Sequence, residues 1–175
     1  MIVYKYIQDD YVLTIKEFDS WNYNFDIVFS GPLKNSRVLK PEVKLLAAYE
    51  KSHPRIYIED VQGNGYYSGL QGKGIGTLLF NTALQVFNSK YNQDTEVYGE
   101  LSTIDDPEEL GEAKRCEIIR ENFWRSFGFC IINGGRLGKI ITAKLGNLRI
   151  KNSNELIEDV FPRFIEIEKF NIYKL

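Results

Sequence analysis

Residues Arg55-Ile56-Tyr57-Ile58-Glu59-Asp60-Val61, then a loop of small and aromatic residues, then Gln71-Gly72-Lys73-Gly74-Ile75-Gly76-Thr77, decide how the rest of the chain is read. The first seven alternate polar and β-favouring side chains, which predicts a strand. Ile75, Leu78, Leu79, Ala83, Val86 and Phe87 recur at the spacing of one helical face. Between strand and helix, Gly72, Gly74 and Gly76 open a helix N-terminus that no side chain crowds. Consecutive backbone N–H groups at the positive end of a helix dipole suit an anion, above all a pyrophosphate. Lys73 adds a mobile cation there.

Two phosphate motifs fail at this place. A P-loop needs Gly, four residues, then Gly-Lys-Ser/Thr, but Tyr67 holds the first position and Gly74 follows Lys73. The dinucleotide fingerprint G-x-G-x-x-G fails at Thr77. Gln71, Gly74 and Gly76 do satisfy Q/R-x-x-G-x-G/A in a strand–loop–helix setting. Downstream, Asn122-Phe123-Trp124-Arg125-Ser126-Phe127-Gly128-Phe129 matches most of F-Y-x-x-x-G-F at the end of a helix, with a strand reading over Glu96–Ser102 between the two.

These two motifs, in this order and spacing, resemble the coenzyme A signatures of the GNAT superfamily of N-acetyltransferases. The resemblance is strongest over residues 55–145. It implies an α/β (α+β) fold: a mixed, mostly antiparallel central sheet flanked by helices and splayed at the cofactor-binding strand. It implies acetyl-CoA as cofactor and direct acetyl transfer to a primary amine in a ternary complex, the acceptor being a small molecule or a peptide. Val61 and Gln62 would pair with the pantetheine arm, and a backbone N–H there would support the oxyanion. Gln71, Gly72, Lys73, Gly74, Ile75, Gly76 and Thr77 would hold the pyrophosphate.

An attacking amine must be neutral, so a base is needed. Glu59 and Asp60 stand where the family often places a strand carboxylate. Strand neighbours point oppositely, so only one is expected to face the cleft, and Asp60 is the choice. The family Tyr that protonates the departing thiolate is replaced by Trp124, whose indole N–H is far too weak an acid. Either Tyr98, Tyr66 or Tyr67 serves instead, or solvent does, or the protein binds acyl-CoA and transfers poorly as a sensor or scaffold. Packing under the cofactor is the expected role of Trp124. Arg120 either reaches a phosphate or sits on a solvated face.

The 175 residues fit one domain, with 146–175 as a C-terminal extension. Hydrophobic residues at 43% and charged ones at 26% describe an ordinary folded chain, and a net charge of −2 gives no basic patch for nucleic acid. Cys116 and Cys130 are expected as buried free thiols, and His53, the single histidine, as a loop residue. Without a His/Cys cluster no metal site is expected. No signal segment or membrane span is read, which places the protein in the cytoplasm; a homodimer is left open.

In chain order, Met1–Ile7, Tyr11–Lys16 and Asn24–Ser30 are predicted strands. Lys40-Pro41-Glu42 signals a helix to about Lys51, with Val43, Leu46 and Ala47 on one face. Asp106-Pro107-Glu108-Glu109 signals another, interrupted at Gly111, with a Cys116, Ile119, Phe123, Phe127 stripe and Gly128 past its end. Phe129–Ile132 and Lys139–Leu145 read as a hairpin, Asn154–Phe161 as a short helix and Phe164–Tyr173 as strand-like.

Overall fold

The computed structural model describes residues 2–8, 11–19, 23–31, 42–62, 74–101, 106–136 and 138–151. Gln71, Gly72, Lys73, Tyr66, Tyr67 and residues 152–175, for which roles or elements are expected above, lie outside the described residues. Among the described residues eight strands form one sheet: β1 (Ile2–Gln8), β2 (Tyr11–Asp19), β3 (Tyr23–Ser30), β4 (Glu42–Glu50), β5 (Arg55–Gln62), β6 (Glu96–Glu100), β7 (Cys130–Asn133) and β8 (Lys139–Lys144). With them the described residues form two helices, α1 (Ile75–Lys90) and α2 (Leu110–Phe127), in an α+β architecture. The spatial order is β1-β2-β3-β4-β5-β6-β8-β7, and every neighbouring pair is antiparallel except β5 with β6.

One face of the sheet carries the core. Leu13, Ile15, Phe25, Ile27, Phe29, Val43, Leu45 and Ala47 alternate inward along β2, β3 and β4 and meet across the ladders, Ile27 opposite Leu45 and Phe29 opposite Val43. Helix α1 lies on this face through Ile75, Leu79, Phe80, Ala83 and Phe87. Its Phe87 ring meets Phe25 edge-on at 5.7 Å. Each buried Leu, Ile, Val or Phe here contributes about 1.5–3 kcal/mol of apolar transfer. Phe80 carries the packing on to α2, with Trp124 at 5.1 Å and Phe127 at 4.7 Å.

The helix expected over residues 41–51 is instead β4. Glu42–Glu50 holds two periods at once: Val43, Leu46 and Ala47 track a helical face, while Val43, Leu45 and Ala47 alternate. Tertiary pairing chooses the second, because β4 sits between β3 and β5 and a helix there would forfeit both ladders. Among the described residues no helix precedes Ile75.

Helix α2 starts later than expected. Its N-cap is Glu109, with no side-chain cap, and Gly111 continues the helix rather than breaking it. Asp106 does not cap because its carboxylate is taken by Arg120. Ile119 is 41% exposed, so the inward stripe is Cys116, Trp124 and Phe127, with Phe123 partly buried beside them. Gly128 ends the helix at φ 105°, where a Cβ would stand 2.7 Å from the Asn147 carbonyl oxygen; only glycine fits both demands. Cys116 is a buried free thiol, as expected, whereas Cys130 is exposed, since it stands on the edge strand β7.

Past β8 a single 3-10 turn (Leu145–Asn147) leads the chain back across both helices. Arg149 N–H donates to the Phe127 carbonyl, and the Asn81 side chain both donates to the Lys151 carbonyl and accepts from its N–H, each at 3.0 Å.

Candidate active site at the parting of two strands

The parallel pair β5–β6 is short. Its register runs Arg55 with Glu96, Ile56 with Val97, Tyr57 with Tyr98 and Ile58 with Gly99, and stops there, although β5 continues to Gln62. Beyond Ile58 the β6 side of β5 therefore has no strand partner among the described residues. On the other side β5 stays paired to β4 up to Lys44 with Gln62.

A bulge sits at this parting. Ala47 opposes Ile58 and Leu46 opposes Asp60, leaving Glu59 as the extra residue. The consequence is visible in burial. Ile56 and Ile58 face the core, and the next core-facing residue is Val61 rather than Asp60. Glu59 and Asp60 are both exposed. The expectation that only one of these carboxylates could face the cleft is corrected: two residues opposite one put both on the solvent side. The signal lay in the sequence, in apolar spacing of two and then three at positions 56, 58 and 61.

The two acids differ in what surrounds them. Partial desolvation against the sheet, together with the negative charges of Asp26 and Asp60, raises the Glu59 carboxyl above the usual carboxylate range. Asp60 accepts a hydrogen bond from the Val61 N–H, 2.7 Å from Oδ1. A strand N–H points to one neighbour or the other. The Ile58 carbonyl oxygen faces Gly99 on the β6 side, and with Glu59 as the extra residue the alternation brings the Val61 N–H back to that same, open side of β5.

Helix α1 begins at Gly74, which sits in the left-handed region (φ 76°) and provides no side-chain cap. Among the described residues the first turn holds no acidic side chain, and Ile75 and Gly76 are buried, so its free N–H groups keep their dipole uncompensated. Thr77 is partly buried in the same turn.

Other expected site residues have different employment. The Tyr98 hydroxyl donates to Glu50 Oε1 at 2.7 Å, toward the β4–β5 turn and away from the bulge. Arg55 bonds the other oxygen of Glu50 at 2.6 Å and lies over the Tyr98 ring at 4.2 Å. Burial and the Glu50 carboxylate hold the Tyr98 phenol far above its ordinary range, and its hydroxyl clamps β6 to Glu50 of β4. Arg120 is not a free cation: its fork grips both oxygens of Asp106, at 2.9 and 2.7 Å, with the side chains 23% and 13% exposed. Trp124 is 6% exposed, edge-on to Phe80 and Phe129. His53 stands in the exposed β4–β5 turn beside Ser52.

Tyr57 escaped the sequence reading. It projects on the same face as Glu59, its ring 4.9 Å from that of Tyr98. Burial, Glu100 and Glu59 raise its phenol. Among the described residues no group of His, Cys, Asp and Glu could hold a metal ion, and no helix is long and apolar enough to cross a membrane. Comparison with protein-family models, curated proteins and solved structures found no match.

Proposed function

We propose that this protein is an acetyl-CoA-dependent N-acetyltransferase of the GNAT type, acting on a primary amine by direct attack. The observation that carries the proposal is the parallel pair that parts after Ile58 and Gly99, with a bulge on the longer strand and an uncapped glycine-led helix following it. An open strand edge offers amide donors and acceptors to an extended pantetheine chain, and the start of α1 offers N–H groups to a diphosphate. The residues present fit coenzyme A in kind: no acid crowds the helix start among the described residues, and one β5 amide is aimed outward. The bound thioester supplies the activated acetyl group.

The chain's own residues then divide the work. Val61 N–H is the donor for the acyl carbonyl oxygen. Glu59, not Asp60, is the base: its raised proton affinity brings it closer to neutral pH, and among the described residues no hydrogen-bond partner takes it on the open face. Tyr57 and Tyr98 both hold their protons more tightly than an ordinary phenol, and an ordinary thiol ionises near pH 8.5. Neither phenol is acid enough to neutralise a thiolate fully, so the proton comes from water.

A second reading, an acyl-CoA sensor or scaffold with little turnover, is favoured by the burial of Trp124 where the family carries Tyr. Melting the protein with and without acetyl-CoA, then following thiol release over a panel of amines, separates the cases. Ligand at a hundredfold its dissociation constant adds about 2.7 kcal/mol. No shift with acetyl-CoA or coenzyme A would overturn both readings; a shift with no release from any amine would favour the second.

A further inference from the structure

We infer that Asp60 is a built-in competitor for the Val61 amide, holding the donor that an acyl carbonyl must take and yielding it when the acyl group arrives. This rests on the acyl-CoA reading of the strand gap. The bulge at Glu59 is the cause: it turns Asp60 to the solvent side immediately before an amide that faces the open edge. The Asp60 Oδ1 lies 2.7 Å from Val61 N. A bond from an N–H to a carboxylate is stronger than one to a neutral carbonyl, so the side chain competes effectively. Both partners are accessible to solvent, so the net hold is weak enough to displace.

Among the described residues the charged groups nearest Asp60 on this face are Glu59 on β5, Asp26 on β3 and Lys44 on β4, with Lys16 of β2 opposite Asp26 and Glu100 of β6 beside Tyr57. Lys44 is paired with Glu42 at 2.7 Å. Within this acidic set Asp60 does not act as a spare base. Among the described residues its carboxylate is the group placed to keep the acyl subsite closed to a weakly binding carbonyl, which makes it a positioning and specificity residue for the proposed reaction.

The test uses the full chain in three forms: unsubstituted, Asp60→Ala and Asp60→Asn. In ¹⁵N–¹H spectra, the Val61 amide proton should follow a carboxylate titration in the unsubstituted protein and lose that dependence in Asp60→Ala. Calorimetry with acetyl-CoA should then show Asp60→Ala binding about fivefold tighter, the size of one modest hydrogen bond, with Asp60→Asn in between. KM for acetyl-CoA should fall in Asp60→Ala while the acidic limb of kcat persists, moved to lower pH, because Glu59 is intact but loses a neighbouring charge that raises it. A Val61 amide indifferent to Asp60, weaker binding by Asp60→Ala, or loss of the acidic limb would overturn the inference. If acetyl-CoA binds none of the three, the acyl-CoA reading falls and the competition falls with it; the amide titration still judges the Asp60–Val61 bond by itself.

Discussion

Gly99 and Ile58 form the last rung before β5 and β6 part, and they touch: a Cβ on Gly99 would stand 2.8 Å from the Ile58 carbonyl oxygen and 3.3 Å from its Cβ. Real Cβ atoms do not approach backbone oxygen so closely, so the parting point is fixed by the absence of a side chain. In Gly99→Ala the two strands must move apart at that rung. Stability should fall by about 1–3 kcal/mol, the usual range for overpacking a core. Stabilisation by acetyl-CoA should shrink as well. Denaturant melts with and without the ligand check both; unchanged values for both would show that the rung does not set the gap.

Glu59→Gln separates stability from function. A carboxyl raised in the folded state binds its proton more tightly there than in the unfolded chain. Ionised Glu59 therefore costs stability at neutral pH, and stability is regained as pH falls through its raised folded value. The substitution should lift Tm slightly at pH 7. It should also cut amine transfer by about 10²–10⁴-fold and remove the acidic limb of the rate profile. A variant as active as the parent would exclude Glu59 as base.

Lys139 reaches from β8 to both Glu117 and Glu121 of α2. Hydrogen bonds from Lys114 and Lys139 lower the Glu117 carboxyl from 4.5 to about 2. A depressed carboxyl stabilises the fold above its unfolded value and stops doing so as pH falls through the folded one. The loss should fall between pH 4.5 and about 2. Thermal melts across that window should drop more steeply in the parent than in Glu117→Gln, and parallel curves would deny the clamp.

Trp124→Tyr removes ring volume from a site that is 6% exposed and introduces a buried hydroxyl. A cost of about 1–3 kcal/mol is expected. Turnover per folded molecule should stay the same if, as proposed, the thiolate takes its proton from water. A faster enzyme would mean that proton delivery limits the rate and that the missing phenol matters.

Asn81 holds the Lys151 backbone by two hydrogen bonds 70 positions apart in sequence. Asn81→Leu should cost about 1–3 kcal/mol and speed amide exchange at Lys151 and Arg149 ahead of the rest of the chain. Uniform exchange rates would place the anchor elsewhere.

Much of this was legible in the chain itself, for local reasons. The alternation of Leu13 and Ile15, Phe25 to Phe29, and Ile56 and Ile58 specifies strands because side chains repeat every two residues. The stripe from Ile75 to Phe87 specifies a helix because its period is 3.6. Gly128 marks a helix end because the backbone there needs a left-handed residue. The strand–glycine turn–helix order was equally local.

Tertiary structure alone decided the remainder. Residues 42–50 satisfied two periods, and only neighbours on both sides made them a strand. Arg120 and Tyr98 read as free functional groups until Asp106 and Glu50, distant in sequence, claimed them. Glu59 and Asp60 came to share a face because β4 supplies one residue where β5 supplies two. Hydrophobic period is written residue by residue, whereas the partner of a charge and the register of a ladder depend on which segments the folded chain brings side by side.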